Sequence, residues 1–153
     1  MAGGKWKAQT GVIQSGTTPH TVLQIVAPAQ QGLKISEWSI SFQGTTNTAS
    51  PVEVSVLRQT NAGVMGTATS TITKDGSDWP EVIQTTIQDG GTGYSTEPTA
   101  GAILYTELIH PQQGFCYQHP WGAETKVAGG GRLGIRITAA ANVPLVARFI
   151  GEE

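Results

Sequence analysis

Charged residues are scarce in this chain. Asp, Glu, Lys and Arg make up 13% of its 153 residues, against about a quarter in an ordinary soluble domain. The formal net charge is −2, and the nine Lys and Arg are scattered. A protein that grips the phosphate backbone needs a concentrated basic patch, so nucleic acid is not an expected partner. Cysteine occurs once, as Cys116, which excludes an internal disulfide and fits synthesis in a reducing cytosol. Within GFCYQ, Cys116 is expected to be a small buried hydrophobe. Long apolar runs are missing as well. None approaches the roughly 20 residues of a spanning helix, and the opening MAGGKWK lacks the apolar core of a signal peptide. No membrane association is expected.

The signatures of common chemistry are also absent. There is no G-x-S-x-G and no H-E-x-x-H. Gly129-Gly130-Gly131, between Lys126 and Arg132, lacks the Walker pattern and a following helix. It reads as a tight turn needing positive φ. His110, His119, Glu107 and Glu124 match no metal-ligand spacing. His20, His110 and His119 stand near prolines at strand ends and are expected in surface loops. Asp75, Asp78, Glu81 and Asp89 fall in one turn-rich stretch and read as solvated charge before catalysis. No cofactor, metal or catalytic residue is expected, and the chain does not read as an enzyme.

What is present is alternation with a period of two. Trp38, Ile40 and Phe42 take one face against Glu37, Ser39 and Ser41. After Gly44–Pro51, Val52, Val54 and Val56 take one face against Glu53 and Ser55. β-branched and aromatic residues in this pattern predict half-buried strands. The intervening loop is too long for a two-residue hairpin and suits a crossing between sheets. Leu133, Ile135 and Ile137 repeat the pattern inward. His20–Pro28 and Ala102–His110 are apolar on both faces. Gly114–His119, Thr125–Val127 and Val143–Ile150 complete the set, with Pro144 marking an edge or a strand start. Thr60–Gly101 is loop-rich, with a strand favoured over a helical turn at Glu81–Gln88.

About eight strands and no sustained helical period predict an all-β protein. The expected architecture is an antiparallel β-sandwich, with a jelly roll as the most economical winding and a Greek-key barrel as its competitor. Residues 21–153 form the single sandwich domain of this reading. Residues 1–20 are Gly- and Thr-rich and read as an extended N-terminal arm. The arm either lies on its own domain or reaches a neighbouring subunit, with Trp6, Val12 and Ile13 as anchors. Uncharged polar surface loses its water at a contact more cheaply than charged surface, which favours a life in contact with other chains.

At WSISFQGTTNTASPVEVSVLRQT, EPTAGAILYTELIHPQQG and GGGRLGIRITAAA the chain resembles small virion structural proteins of tailed bacteriophages. The likeness covers Lys34 to Thr60 and Glu97 to Ile150, and its motifs are strands and turns. The resemblance implies a capsid decoration, or cement, protein on the virion surface, made in the host cytoplasm. Such a protein is a homotrimer that binds the major capsid protein and braces neighbouring capsid subunits. Contacts are then expected from Trp6, Val12 and Ile13 on the arm and from Trp79, Tyr94 and Trp121 on the loops. The alternative is a receptor- or carbohydrate-binding head of a phage tail protein, with Trp79, Tyr94 and Trp121 around a pocket.

Overall fold

The computed structural model of the chain describes residues 4–65, 70–75, 82–89 and 93–153. Among these residues there are fourteen strands and no helix, so no helix is long and apolar enough to cross a membrane. The strands are β1 (Lys5–Gln9), β2 (Ile13–Gln14), β3 (His20–Val26), β4 (Leu33–Phe42), β5 (Val52–Gln59), β6 (Val64–Met65) and β7 (Thr71–Lys74). They continue as β8 (Thr86–Asp89), β9 (Tyr94–Thr96), β10 (Ala100–Ile109), β11 (Gly114–Gln118), β12 (Thr125–Val127), β13 (Arg132–Thr138) and β14 (Pro144–Glu152).

Two antiparallel sheets pack into a sandwich. The first runs β11-β4-β14-β1-β7, with β12 also on β4 and β2 on β14. The second runs β10-β5-β13-β3-β8, and β6 with β9 forms a separate two-stranded leaf. The chain crosses from one sheet to the other between β3 and β4, and again between β4 and β5 through residues 43–51. This order establishes a sandwich; it does not by itself establish the jelly-roll winding, because β14 and β1 continue the first sheet beyond β4.

Period-two alternation places the core. Trp38, Ile40 and Phe42 of β4, Val52, Val54 and Val56 of β5, and Leu133, Ile135 and Ile137 of β13 are all buried. They meet Leu145, Ala147 and Phe149 of β14 between the sheets. One irregularity resets the alternation in β4. Gly151 pairs with Ile35 while Ile150 pairs with Glu37, so Ser36 is the extra residue of a β-bulge. Leu33 and Ile35 therefore point inward on the same side as Trp38, despite the change of parity.

The N-terminal residues depart from the expected arm. β1 lies inside the first sheet, paired on one side with β14 and on the other with β7. In KWKAQ, Trp6 and Ala8 are both 0% exposed while Lys5, Lys7 and Gln9 face solvent. Ile13 is buried too and pairs with Leu145 through β2. Residues 5–14 thus share one core with the rest of the chain, and the division at residue 20 does not hold. The physical reason is an unfilled sheet: without β1, β14 would lose its neighbour on that side, with Ala8 opposite Phe149 and the Trp6 indole over Gly151.

β14 is central, and Pro144 is its first residue, consistent with a strand start and not an edge. At the other end of β13, Gly130 adopts φ +72 in the turn before the strand. Its N–H donates to Pro28 O at 2.9 Å, and Gly131 O accepts from Ala27 N at 2.9 Å. The triple glycine is therefore a turn that zips onto the end of β3.

Candidate interaction surface

The second sheet carries different covers on its outer face. Towards β3, a buried polar network holds the stretch that follows β5. Gln59 lies across β13: its Oε1 accepts from Gln24 Nε2 at 2.7 Å, and its Nε2 donates to Thr21 Oγ1 at 3.0 Å. Gln24 Nε2 also donates to Asn61 O at 3.0 Å, and Arg132 Nη1 donates to Gln24 Oε1 at 3.0 Å. Gln24, Thr21 and Gln59 are buried, so each polar atom depends on these partners. Gly134 is required beneath them, because a Cβ there would stand 2.3 Å from Gln59 Oε1.

The return of the chain from the leaf is pinned by Glu97. Its Oε1 is 3.0 Å from His20 Nδ1, and its Oε2 accepts from Thr21 N at 2.9 Å. Burial pushes the Glu97 carboxyl up, but the hydrogen bonds from His20 and Thr21 outweigh that and hold it below the ordinary carboxylate range. Tyr94 meets the His20 ring edge-on at 6.0 Å. A cleft of about 530 Å³ opens here, lined by residues that include Gln14, Thr18, His20, Tyr94, Glu97 and Asn142. His20 is buried, contrary to the surface loop expected for it. It opens β3 opposite Ile137, so its ring closes the end of the core.

Towards β10 the same face is open. β10 is an edge, paired only with β5. Two register shifts, after Ala100 and after Ile103, interrupt that pairing. Tyr105, Glu107 and Ile109 stand opposite Val56, Val54 and Val52 and so share their inner face. Thr106 and Leu108 face outward, opposite Ser55 and Glu53. Leu108 is 71% exposed and Ile103, also on the outer face opposite Leu57, is 55% exposed. Bulges and an inward-facing charge discourage another strand from adding to an edge. The two apolar side chains remain available to a contact made through side chains. The strand was expected to be apolar on both faces, and this is the arrangement found.

β10 meets β11 at the open side of the sandwich through aromatic rings. Tyr105 lies 6.3 Å from Trp38 and 5.1 Å from Tyr117, and Phe115 lies 5.2 Å from Trp38. His119 seals the corner. Its Nε2 is 2.9 Å from Thr125 Oγ1 and 3.1 Å from Tyr105 OH, and its Nδ1 is 3.2 Å from Ser36 O. The carbonyl partner requires Nδ1–H as donor, while at Nε2 the hydroxyls of Thr125 and Tyr105 complete the ring's contacts. The ring is committed to structure on both sides.

The outer face of the first sheet has no covering element among the described residues. At its middle Arg148 Nη2 donates to Glu37 Oε1 at 2.8 Å, and Gln118 Nε2 donates to Glu37 Oε2 at 3.0 Å. Burial raises the Glu37 carboxyl, and the hydrogen bonds from Gln118, Cys116 and Arg148 together bring it below the ordinary range. Cys116 is exposed on this face, opposite Ser39, and is not the buried hydrophobe expected. Desolvation and then the Glu37 carboxylate push its thiol up, away from the reactive thiolate. One row across four strands reads Lys126, Lys34, Glu152, Lys5, and its mixed signs make it a solvated row.

The residues expected to make contacts separate into four situations. Trp6 and Ile13 are core residues, whereas Val12 between β1 and β2 is 66% exposed. Trp79 lies outside the described residues. Tyr94 is half-buried against His20, at the end of the sandwich where β3 begins. Trp121 is 99% exposed in the turn before β12, which pairs with the start of β4 at the opposite end. Tyr94 and Trp121 therefore line no common pocket. Asp75 of the acidic stretch pairs with Lys7 at 3.4 Å, while Asp78 and Glu81 lie outside the described residues. Among the described residues no three His, Cys, Asp or Glu side chains stand together as a metal site. Ile103 and Leu108 were not singled out from the sequence; the signal that marks them is a strand apolar on both faces that the topology leaves at an edge. Comparison with protein-family models, with curated proteins and with solved structures returned no match.

Proposed function

We propose that this chain is a non-enzymatic assembly protein of the virion, a capsid decoration protein that binds the major capsid protein and acts as a homotrimer. The observation that carries the reading is the outer face of β10. Ile103 and Leu108 are exposed there on an edge strand that bulges and inward Glu107 protect from strand addition. Such a face suits a contact through side chains, which a closed threefold ring buries once per subunit. The low charge of the chain supports the same reading, since uncharged polar surface is desolvated cheaply. The resemblance of its strand and turn motifs to phage virion proteins supplies the capsid as the partner.

The test is the mass of the particle in solution. Light scattering on a sizing column is expected to give three chains for the wild type. The double substitution Ile103→Ser/Leu108→Ser is expected to give one chain with an unchanged circular dichroism spectrum. A wild-type monomer at micromolar concentration rejects the trimer. The alternative of a receptor- or carbohydrate-binding head rests on Trp121 alone among the described aromatic residues. Glycan binding that disappears in Trp121→Ala would favour it.

A further inference from the structure

We propose that Glu97 is an acid-released latch holding the β6–β9 leaf against the outer face of the second sheet. The leaf itself is small. β6 and β9 pair over two registered positions, with a register shift between them. A two-stranded ribbon of this size does not hold itself together in water, so its place on the sandwich depends on the contacts at its two ends. At the outgoing end, Asn61 Oδ1 accepts from Thr99 N at 3.0 Å, and Asn61 O accepts from Gln24 Nε2. At the returning end, both oxygens of Glu97 are engaged on β3, by the His20 ring and the Thr21 amide. Its apolar cover comes from Pro98, which is buried, and from Tyr94 against the His20 ring, whereas Val64 is exposed and Ser95 and Thr96 face solvent. Polar contacts at both ends add to this cover, and Glu97 makes the only charged one among the described residues.

The direction of the pH response follows from the partners. The ionisable groups facing Glu97 are His20 on β3 and Tyr94 on β9 behind the imidazole. Below the ordinary carboxylate range Glu97 takes up a proton and becomes a donor at one oxygen. The Thr21 N–H and the His20 ring are then left with less acceptor capacity on the Glu97 carboxyl. A carboxyl held low in the folded state stabilises above its unfolded pKa, and that stability is lost as pH falls through the folded value. Loss of the Glu97 contacts thus loosens the leaf as pH falls below the ordinary carboxylate range, while the buried side chains of β4, β13 and β14 between the sheets are apolar. Opening of this kind is local, and separate from global unfolding.

Amide hydrogen exchange on the intact chain tests the latch, with rates corrected for the intrinsic pH dependence. Between pH 6 and about pH 3, protection at Thr21, Thr96 and Thr99 is expected to fall severalfold relative to amides of β13 and β14. Glu97→Ala is expected to show the low protection at pH 6 already, with β13 and β14 unchanged. Glu97→Gln, which retains one acceptor, is expected to give a protection that no longer varies over this range. Loss of protection in the leaf and in β13 together, or full leaf protection in Glu97→Ala at pH 6, overturns the proposal.

Discussion

Gln59 offers the sharpest test of how the second sheet holds its outer cover. Truncating it to Ala removes the acceptor for Gln24 Nε2 and the donor to Thr21 Oγ1. Each such bond is worth about 1 kcal/mol net; the Thr21 hydroxyl keeps the Glu97 carboxylate, and the void left by the buried Gln59 side chain adds about 1 kcal/mol more. Gln24 keeps Asn61 O, so its amide is not orphaned. The expected loss is about 2–4 kcal/mol, a drop in Tm on the order of 10 °C for a chain of this length. Gly134→Ala acts on the same bonds from beneath. Its Cβ would stand 2.3, 2.7 and 3.0 Å from the three terminal atoms of the Gln59 side chain, which must swing away. That substitution alone is expected to cost about 1–3 kcal/mol, the lost bonds being offset slightly by the lower backbone entropy of Ala. Once Gln59 is Ala the space is free. The double variant is then expected to be no less stable than Gln59→Ala, a coupling of about 2 kcal/mol. Urea unfolding of the four proteins, with m-values checked for constancy, measures this directly. Additive losses within about 0.5 kcal/mol would refute the network, because residues that do not share partners add.

Trp6→Ala is expected to cost about 3–5 kcal/mol, where a free arm would cost nothing; Val12→Ser is expected to change stability by less than about 0.5 kcal/mol. Both are read from urea midpoints. Cys116 is expected to react with a thiol reagent in the native state, since it is exposed. Desolvation still holds its thiol up, but Glu37→Gln removes the second cause, so at pH 8 or so the variant is expected to react faster. Glu37→Gln is also expected to lower stability at neutral pH by about 1 kcal/mol. The Glu37 carboxyl is held below its ordinary value, so its contribution is present above the unfolded pKa. The gap to the wild type therefore closes as pH falls below about 4, followed by unfolding at a series of pH values.

The parts of the fold that were legible are those where one residue in two is apolar and large. Trp38 to Phe42, Val52 to Val56 and Leu133 to Ile137 reveal their inner faces because burial on one side of a pleated strand imposes that period. KWKAQ obeys the same rule, with Trp6 and Ala8 inward, but Ala8 is small and the flanking glycines resemble a tether. The parity change between Ile35 and Trp38 marks the Ser36 bulge, which the alternation from Trp38 onward does not reveal. His20 was placed on the surface by its neighbouring proline, which says nothing of the Glu97 carboxylate that meets it from 77 residues away. The Gln24–Gln59 network was illegible for the same reason: its members come from β3 and β5, and only the strand order brings them together over Gly134. At the candidate surface, Trp121 was legible as a loop aromatic. The exposure of Ile103 and Leu108 follows from β10 being an edge, and an edge is a property of the whole sheet.

The proposed assembly role is tested most directly by binding the intact chain to undecorated capsids of the proposed partner, a tailed-phage major capsid protein. Cosedimentation at near-physiological salt is the readout. The predicted result is saturable binding at a fixed ratio to the capsid subunits, in threes, and weakened by Ile103→Ser/Leu108→Ser. Absence of binding across the whole salt range, with the wild type folded and monomeric, would contradict it.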